Sequence, residues 1–230
     1  MTRPQASAAT TTTALQLLLT AERLFAEHGL AGVSLRQIAV DAGSANNSAV
    51  AYHFGSKEGL VEAIFGYRLP QLLKRRELLR ARVAPGDLRA RLEAHLLPVY
   101  EIAESREGAY LSFLEQLGRD PSSQPLLANP EAVRSQALFL ADVQPLLPDV
   151  DPWLRPLRIQ QLQLLSLHTA AERERALAAG QTDLLPFGLF VSTSLDAWVG
   201  YLTAPVSAET QRLAGDAPTA LTAQRTARRR

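Results

Sequence analysis

A start signal and a stop signal for a helix lie only nine positions apart, at Ser34 and Gly43. Ser34 is followed three positions later by Gln37, which is the spacing of a capping box at a helix amino terminus. Glycine is the residue type that most often ends a helix in the left-handed conformation. The pattern therefore predicts a helix of about residues 35–42, which is too short to form much core by itself.

A second short helix is predicted directly after the first. The polar turn Ser44–Ser48 can cap a helix over residues 47–54. A longer helix of about residues 13–28 precedes the pair, and Ser56 can cap a fourth helix from 57 to about 82. Two short helices joined by a glycine-containing turn and braced by a longer helix form a helix-turn-helix pattern.

The rest of the chain also has helical periodicity. Apolar residues recur at i, i+3, i+4 and i+7, and alternating strand-like runs are absent. Prolines follow capping residues at Asn129–Pro130 and Asp151–Pro152. We expect further helices over about residues 87–105, 108–117, 129–147, 152–180 and 184–203. The fold class predicted from the sequence is all-α.

Composition excludes several classes of protein. The chain has no cysteine and only four histidines, so disulfide frameworks, thiolate metal sites and thiol nucleophiles are excluded. Neither a stretch of about 20 apolar residues nor an apolar signal segment is present, so we expect a cytoplasmic protein without membrane contact.

No catalytic constellation is visible in the sequence. It contains no Gly-x-Ser-x-Gly elbow, phosphate-binding loop or dinucleotide fingerprint. His168, Glu172 and Glu174 fall near one another on a predicted helix, but Arg173 and Arg175 alternate with the acids. A solvated charged face explains this arrangement better than a metal or acid–base site. We therefore expect no enzyme activity, no metal and no cofactor.

Charge is distributed unevenly along the chain. Residues 1–80 hold nine Lys or Arg against six Asp or Glu, whereas residues 81–220 hold eleven against seventeen. A basic front on an acidic body suggests that the front faces a polyanion. Arg225 and Arg228–Arg230 at the carboxyl end can add non-specific attraction to phosphate, although a solubilising tail is the favoured interpretation.

The helix-turn-helix pattern indicates which side chains could contact DNA. In such a protein the polar face of the second helix enters the major groove, where Asn can pair with adenine. Positions at the starts of the flanking helices suit contacts with phosphate. The candidates are Asn46, Asn47, Ser48, Tyr52 and His53 for the groove, with Ser34, Arg36 and Lys57 at the flanks.

Each candidate also has a purely structural interpretation. The Asn-Asn-Ser run can be only a turn and a helix cap. Tyr52 and His53 can be half-buried packing residues, and Lys57 can be an ordinary surface lysine.

Taken together, the segments resemble a known family. The runs Ala21–Gly29, Val33–Ala39, Asp41–Gly43 and Tyr52–Leu60 resemble the amino-terminal domain of TetR-family transcriptional regulators. The resemblance covers about residues 14–66. The stretch from Gly43 to Phe54 is one residue longer than the commonest family pattern.

The resemblance implies an all-α protein with two functional parts. An amino-terminal three-helix helix-turn-helix DNA-binding domain over residues 13–60 is followed by a larger helical ligand-binding and dimerisation domain over 61–204. We expect a disordered tail over residues 1–12 and a flexible Arg-rich tail over 205–230.

The resemblance also implies roles for particular residues. Ser34, Tyr52, His53 and Lys57 take the usual groove and backbone contacts. The core that fixes the two short helices comprises Phe25, Ile38, Ala39 and Phe54. The last two long helices form the dimer interface, with Leu162, Leu165, Leu195, Trp198 and Leu202 as candidate contacts.

The function implied is ligand-responsive transcriptional regulation. A homodimer, most simply a repressor, binds a pseudo-palindromic duplex operator and is released by an unidentified small molecule held in the body. The alternative is a helical ligand-binding or protein-interaction module without specific DNA binding.

Overall fold

The computed structural model describes residues 5–46 and 48–215, and every regular element in those ranges is a helix. Two short 3₁₀ segments, Pro121–Ala128 and Gln144–Leu146, accompany the α-helices. The prediction of an all-α fold is confirmed. The α-helices are α1 Gln5–Gly32, α2 Leu35–Asp41, α3 Ala49–Phe54, α4 Lys57–Arg80, α5 Leu88–Ser105, α6 Tyr110–Arg119, α7 Pro130–Val143, α8 Leu154–Ala178, α9 Phe187–Thr203 and α10 Ala208–Gly215.

The first helix begins earlier than the sequence predicts. Residues 5–12 belong to α1, where a disordered tail was expected. Gln5 and the alanines after it are good helix formers, and no glycine or proline occurs between Gln5 and Gly29. Gly29 has φ +70°, so it departs from helical geometry at the predicted stop.

The carboxyl-terminal segment also contains structure that was not predicted. Helix α10 occupies residues 208–215, inside the stretch expected to be flexible. Ser207 caps it, since its hydroxyl accepts a hydrogen bond from the Thr210 amide at 3.2 Å. The arginines at 225 and 228–230 lie outside the described residues.

The predicted caps at Asp87 and Asn129 are confirmed, but the one at Asp151 is wrong, since α8 begins at Leu154 with Trp153 at the cap position and without a side-chain capping bond. Asp87 accepts from the Ala90 amide at 2.9 Å and starts α5. The side chain of Asn129 accepts from the amides of Glu131 and Ala132, with Pro130 in the first turn of α7. Residues with short polar side chains bond the free amides of a helix amino terminus, which is why these starts can be predicted from local sequence.

A continuous apolar core joins the front of the chain to the body. Phe25 of α1 and Phe65 of α4 both approach Phe113 of α6, with ring centroids 6.2 and 6.3 Å apart. All three rings are buried. The boundary proposed near residue 60 is therefore not a gap between separate cores.

None of the helices within the described ranges combines the length and apolarity needed to cross a bilayer.

Candidate nucleic-acid interface

The turn between α2 and α3 is built as the sequence predicts. Ser34 accepts the Gln37 amide at 3.1 Å and starts α2. Gly43 has φ +69°, and the following amide of Ser44 donates to the Ala39 carbonyl at 2.9 Å. This pairing satisfies carbonyls at the helix end and turns the chain sharply, a geometry that favours glycine.

A small apolar core fixes α2 and α3 against α1 and α4. Phe25, Ile38 and Ala39 have no solvent-exposed surface, and Val50 of α3 is equally buried. Phe54 is only half-buried, packed against this core. Three of the four predicted core residues are thus fully enclosed, and α3 has one buried face and one open face.

The polar turn before α3 bonds mainly to itself. The Ser44 hydroxyl accepts the Asn46 amide at 3.2 Å, and the Asn46 side-chain oxygen accepts the Ser48 amide at 2.9 Å. The turn holds Asn46 and Ser48 exposed and delays the start of α3 to Ala49, two residues beyond the predicted start. Asn47 lies outside the described residues. The Asn46 side-chain oxygen is therefore used inside the turn, in agreement with the purely structural interpretation of this run.

Tyr52 projects from the open face of α3. It is 81% exposed, the largest exposure among the exposed large apolar side chains of the described chain. His53 is half-buried, and its ring meets the Tyr52 ring edge-on at 5.1 Å between centroids. An exposed ring with a hydroxyl at its tip suits a mixed apolar and polar surface such as a base edge.

The flanking candidates have different surroundings. Arg36 is exposed on α2. Lys57 donates from Nζ to the Leu30 carbonyl at 2.7 Å and so ties the start of α4 to the end of α1. Its ammonium has three N–H groups, so two of them remain available to donate to a phosphate.

Gly59 is a positioning residue that the sequence interpretation missed. A Cβ at this position would lie 2.2 Å from the Phe54 carbonyl oxygen. Glycine is therefore required where α4 passes close to the end of α3. Gly59 lies in the first turn of a predicted helix, and a glycine at such a position is the signal that could have revealed this close approach.

Residues 17–64 match the family model described as bacterial regulatory proteins of the tetR family. That segment spans α1 to α4 and contains the helix pair with its core. This segment of the chain is a TetR-family amino-terminal domain.

A curated relative and two solved structures extend the comparison. The chain is 38% identical over 104 residues to the HTH-type transcriptional repressor KstR2 of Rhodococcus jostii (strain RHA1), a match that covers 44% of this chain and 48% of that relative. The chain thus matches about half the length of that relative.

The crystal structure of a candidate TetR-family regulator from Rhodococcus sp. matches 84% of this chain and all of its own, with 18% identity and a TM-score of 0.51. That likeness shows the fold. PfmR of Thermus thermophilus, also a TetR-family regulator, is 18% identical over 83% of this chain and 96% of its own, with a TM-score of 0.49.

The body of the chain contains a cavity of about 200 Å³, partly open to solvent, among α4 to α8. The aromatic side chains of Tyr110 and Phe139 line it, whereas Tyr100 and Phe113 are buried elsewhere. Two basic side chains, Arg76 of α4 and His95 of α5, also face the cavity. Burial lowers the pKa of His95 to about 4.

The predicted solvated charged face on α8 is wrong for two of its members. Glu174 is buried, and its carboxylate accepts the amides of Leu111 and Ser112 at 3.1 and 2.8 Å. It caps the amino terminus of α6. Arg173 is also buried and donates to Glu104 at 2.7 Å. Long-range pairing, which local alternation does not reveal, explains the difference.

Two other members of this set bond to α6. His168 and Arg175 both contact Glu115, at 2.6 and 2.8 Å. Among the described residues, no group of three or more His, Asp or Glu side chains could hold a metal ion.

A buried ion pair joins the front of the chain to α6. Arg68 of α4 donates to the Glu22 carboxylate at 2.9 and 2.8 Å. Glu22 also accepts the Ala109 amide at 2.8 Å, and Arg68 donates to the Glu107 carbonyl. The first turn of α6 is therefore held by carboxylates from both α1 and α8.

The candidate interface residues on α8 and α9 are partly wrong. Leu162, Leu195 and Leu202 are buried within the chain itself, so they have no surface to offer a partner. Leu165 is 44% exposed, whereas the Trp198 indole donates to the Tyr100 hydroxyl at 2.8 Å. Helix α8 is apolar on more than one side, and the periodicity alone does not show which side faces the core.

Proposed function

We propose that this chain is a ligand-responsive transcriptional regulator that binds duplex DNA through α3 and the turn before it. The observation that most directly supports this proposal is the exposure of Tyr52 on α3, whose opposite face is buried through Ala49 and Val50. Arg36 and Asn46 are also exposed, and the His53 ring contacts the Tyr52 ring. The name of the relative, an HTH-type transcriptional repressor, favours repression, and a protein that binds the chromosome acts in the cytoplasm.

Selection of genomic fragments by the purified protein tests this proposal. We expect a small set of fragments sharing a pseudo-palindromic sequence, retained against excess random-sequence DNA at physiological salt. Non-specific phosphate attraction alone would retain fragments without a shared sequence. That result would favour the helical interaction module without specific DNA binding.

We propose that the chain acts as a homodimer through the outer faces of α8 and α9. Leu157, Leu164 and Leu165 form an exposed apolar stripe on α8, and Leu189 is exposed on α9. These residues replace the buried leucines as candidate contacts. Two copies would place their α3 helices in successive major grooves about 34–36 Å apart.

The oligomeric state of Leu164→Glu tests this interface. We expect the wild type to sediment as a dimer and the variant as a monomer at micromolar concentration. Val133→Glu places the same charge on a residue exposed to a similar degree on α7 and should stay dimeric. Equal behaviour of the two variants would contradict the assigned interface.

We propose that a ligand in the body cavity changes the DNA-binding geometry through α6. Leu111 and Leu114 of α6 line the cavity, and the first turn of the same helix bonds Glu22 of α1. A ligand that favours one position of α6 thereby shifts the equilibrium between two dimer shapes, only one of which fits the operator. Release of selected DNA on addition of a ligand that raises the melting temperature is the expected result.

A further inference from the structure

We propose that the cavity recognises a small hydroxy carboxylic acid, with the carboxylate bound by Arg76 and the hydroxyl by His95. This inference rests on the proposed ligand response and names the chemical class of its ligand.

Arg76 provides the anion-binding group. Its Nε and Nη2 donate to the His95 carbonyl at 3.1 and 2.9 Å, and its Nη1 donates to the Ser135 hydroxyl. A guanidinium has five N–H groups, so one N–H on each terminal nitrogen is left by these bonds. Two N–H groups on neighbouring nitrogens match the two oxygens of a carboxylate.

No carboxylate within the described ranges forms an ion pair with Arg76. Asp142 is already bonded to other groups. Arg80 donates to both of its carboxylate oxygens, and His95 Nε2 also contacts one of them. Burial and the nearby Arg80 charge lower the pKa of Arg76 to about 10. Arg76 is half-buried, and a cation that is partly removed from water without an anionic partner is costly, so a bound carboxylate would supply that partner.

His95 provides a hydrogen-bond acceptor. It is 1% exposed, its Nε2 lies 2.8 Å from Asp142, and its Nδ1 has no partner in the described structure. Arg80 and His95 hold the pKa of Asp142 below its usual value, so this carboxylate is ionised and only accepts. The His95 proton therefore resides on Nε2, which leaves Nδ1 as an unused acceptor. The surface of Nδ1 is closed to water in this structure, so a ligand O–H reaches it only when the side chains that cover it move.

The rest of the cavity determines the character of the ligand group that enters it. Its walls include Phe65, Leu69, Leu96 and Phe139. The cavity has a volume of about 200 Å³. A small apolar group, such as an isobutyl group or a phenyl ring, matches these walls and this volume.

Calorimetric titration with matched probes tests the inference. The probes are 2-hydroxy-4-methylpentanoate and phenyllactate, each compared with its primary amide and with the acid lacking the hydroxyl. We expect the wild type to bind at least one hydroxy acid about tenfold or more tightly than its amide, because a charge-assisted pair is lost in the amide.

Two variants separate the two recognition groups. Arg76→Gln should abolish the preference for acid over amide. His95→Gln keeps a donor toward Asp142 but removes the Nδ1 acceptor, so it should lose only the preference for the hydroxyl. Arg134→Gln, on an exposed residue that lines only the neighbouring outer groove, should bind as the wild type does. Arg76→Lys, which keeps the charge without the paired donors, covers the case in which Arg76→Gln does not fold.

Several results would overturn the inference. They are an equal affinity for acid and amide in the wild type, a preference that survives in both Arg76 variants, or binding of none of the probes. Binding that depends on Arg76 but leaves DNA binding unchanged would instead support the inference and contradict the proposed ligand response.

Discussion

At the residue scale, close approaches between distant parts of the chain decide which residue types are tolerated. Gly108 has φ +115°, and a Cβ there would lie 2.2 Å from Glu22 Oε1 and 2.6 Å from Arg68 Nη2. The glycine thus makes room for the buried ion pair that bonds the first turn of α6. Nothing near Gly108 in the sequence reveals this requirement, since Glu22 lies 86 positions away.

Gly108→Ala should destabilise the protein by about 3 kcal/mol, because it combines backbone strain with displacement of a buried pair. Gly86→Ala is the matched control, with φ +84° and no atom within 4 Å of the added Cβ. It should cost only about 1 kcal/mol. Urea unfolding measures both free energies, and equal values would show that the close approach does not matter.

The buried His95 predicts a dependence of stability on pH. Its pKa falls to about 4 in the folded protein, against 6.5 for the ordinary side chain, mainly through burial and despite its bond to Asp142. The charges of Arg76 and Arg80 lower it further. The unfolded chain therefore binds a proton that the folded chain does not, and stability falls as pH drops from about 6.5 to about 4.

The shift corresponds to about 3 kcal/mol. The slope of unfolding free energy against pH in this range should decrease in His95→Gln, which does not titrate. Asp142, whose pKa is lowered by Arg80 and His95, also weakens the fold when protonated at still lower pH. An unchanged slope between pH 6.5 and 4 in the variant would contradict the account of His95.

At the element scale, several helix starts were predictable because a nearby side chain makes them. Ser34, Ser56 and Asp87 each accept an amide three residues later. The start of α6 depends instead on Glu174, which lies more than 60 positions further along the chain. A capping bond of that kind leaves no local signal, so the carboxylate was predicted as part of a solvated face.

The cap of α2 can be tested directly. Ser34→Ala should cost about 1 kcal/mol, since the Gln37 amide loses its acceptor. Ser48→Ala is a matched control, because Ser48 occupies the cap position of α3 without a side-chain capping bond. It should change the midpoint of urea unfolding very little, and a loss as large as that of Ser34→Ala would contradict these assignments.

At the scale of the whole molecule, the sequence predicted the kind of architecture but not how its parts join. The periodicity of α8 marks Leu162 and Leu164 alike as apolar, yet one is buried and the other 63% exposed. Which residues face a cavity also depends on the packing of α4 to α8, and neither Arg76 nor His95 was a candidate on sequence grounds. The helix-turn-helix was predictable because its caps, turn and core lie within one short stretch.

The specificity of DNA binding in Tyr52→Ala tests the central claim most directly. The affinity for the selected fragment and for random-sequence DNA should be measured at one physiological salt concentration, with Leu213→Ala as an exposed control on α10. We predict that Tyr52→Ala reduces the ratio of specific to non-specific affinity by about tenfold or more, with an unchanged melting temperature. An unchanged ratio in Tyr52→Ala would contradict the assignment of α3 as the helix that contacts DNA.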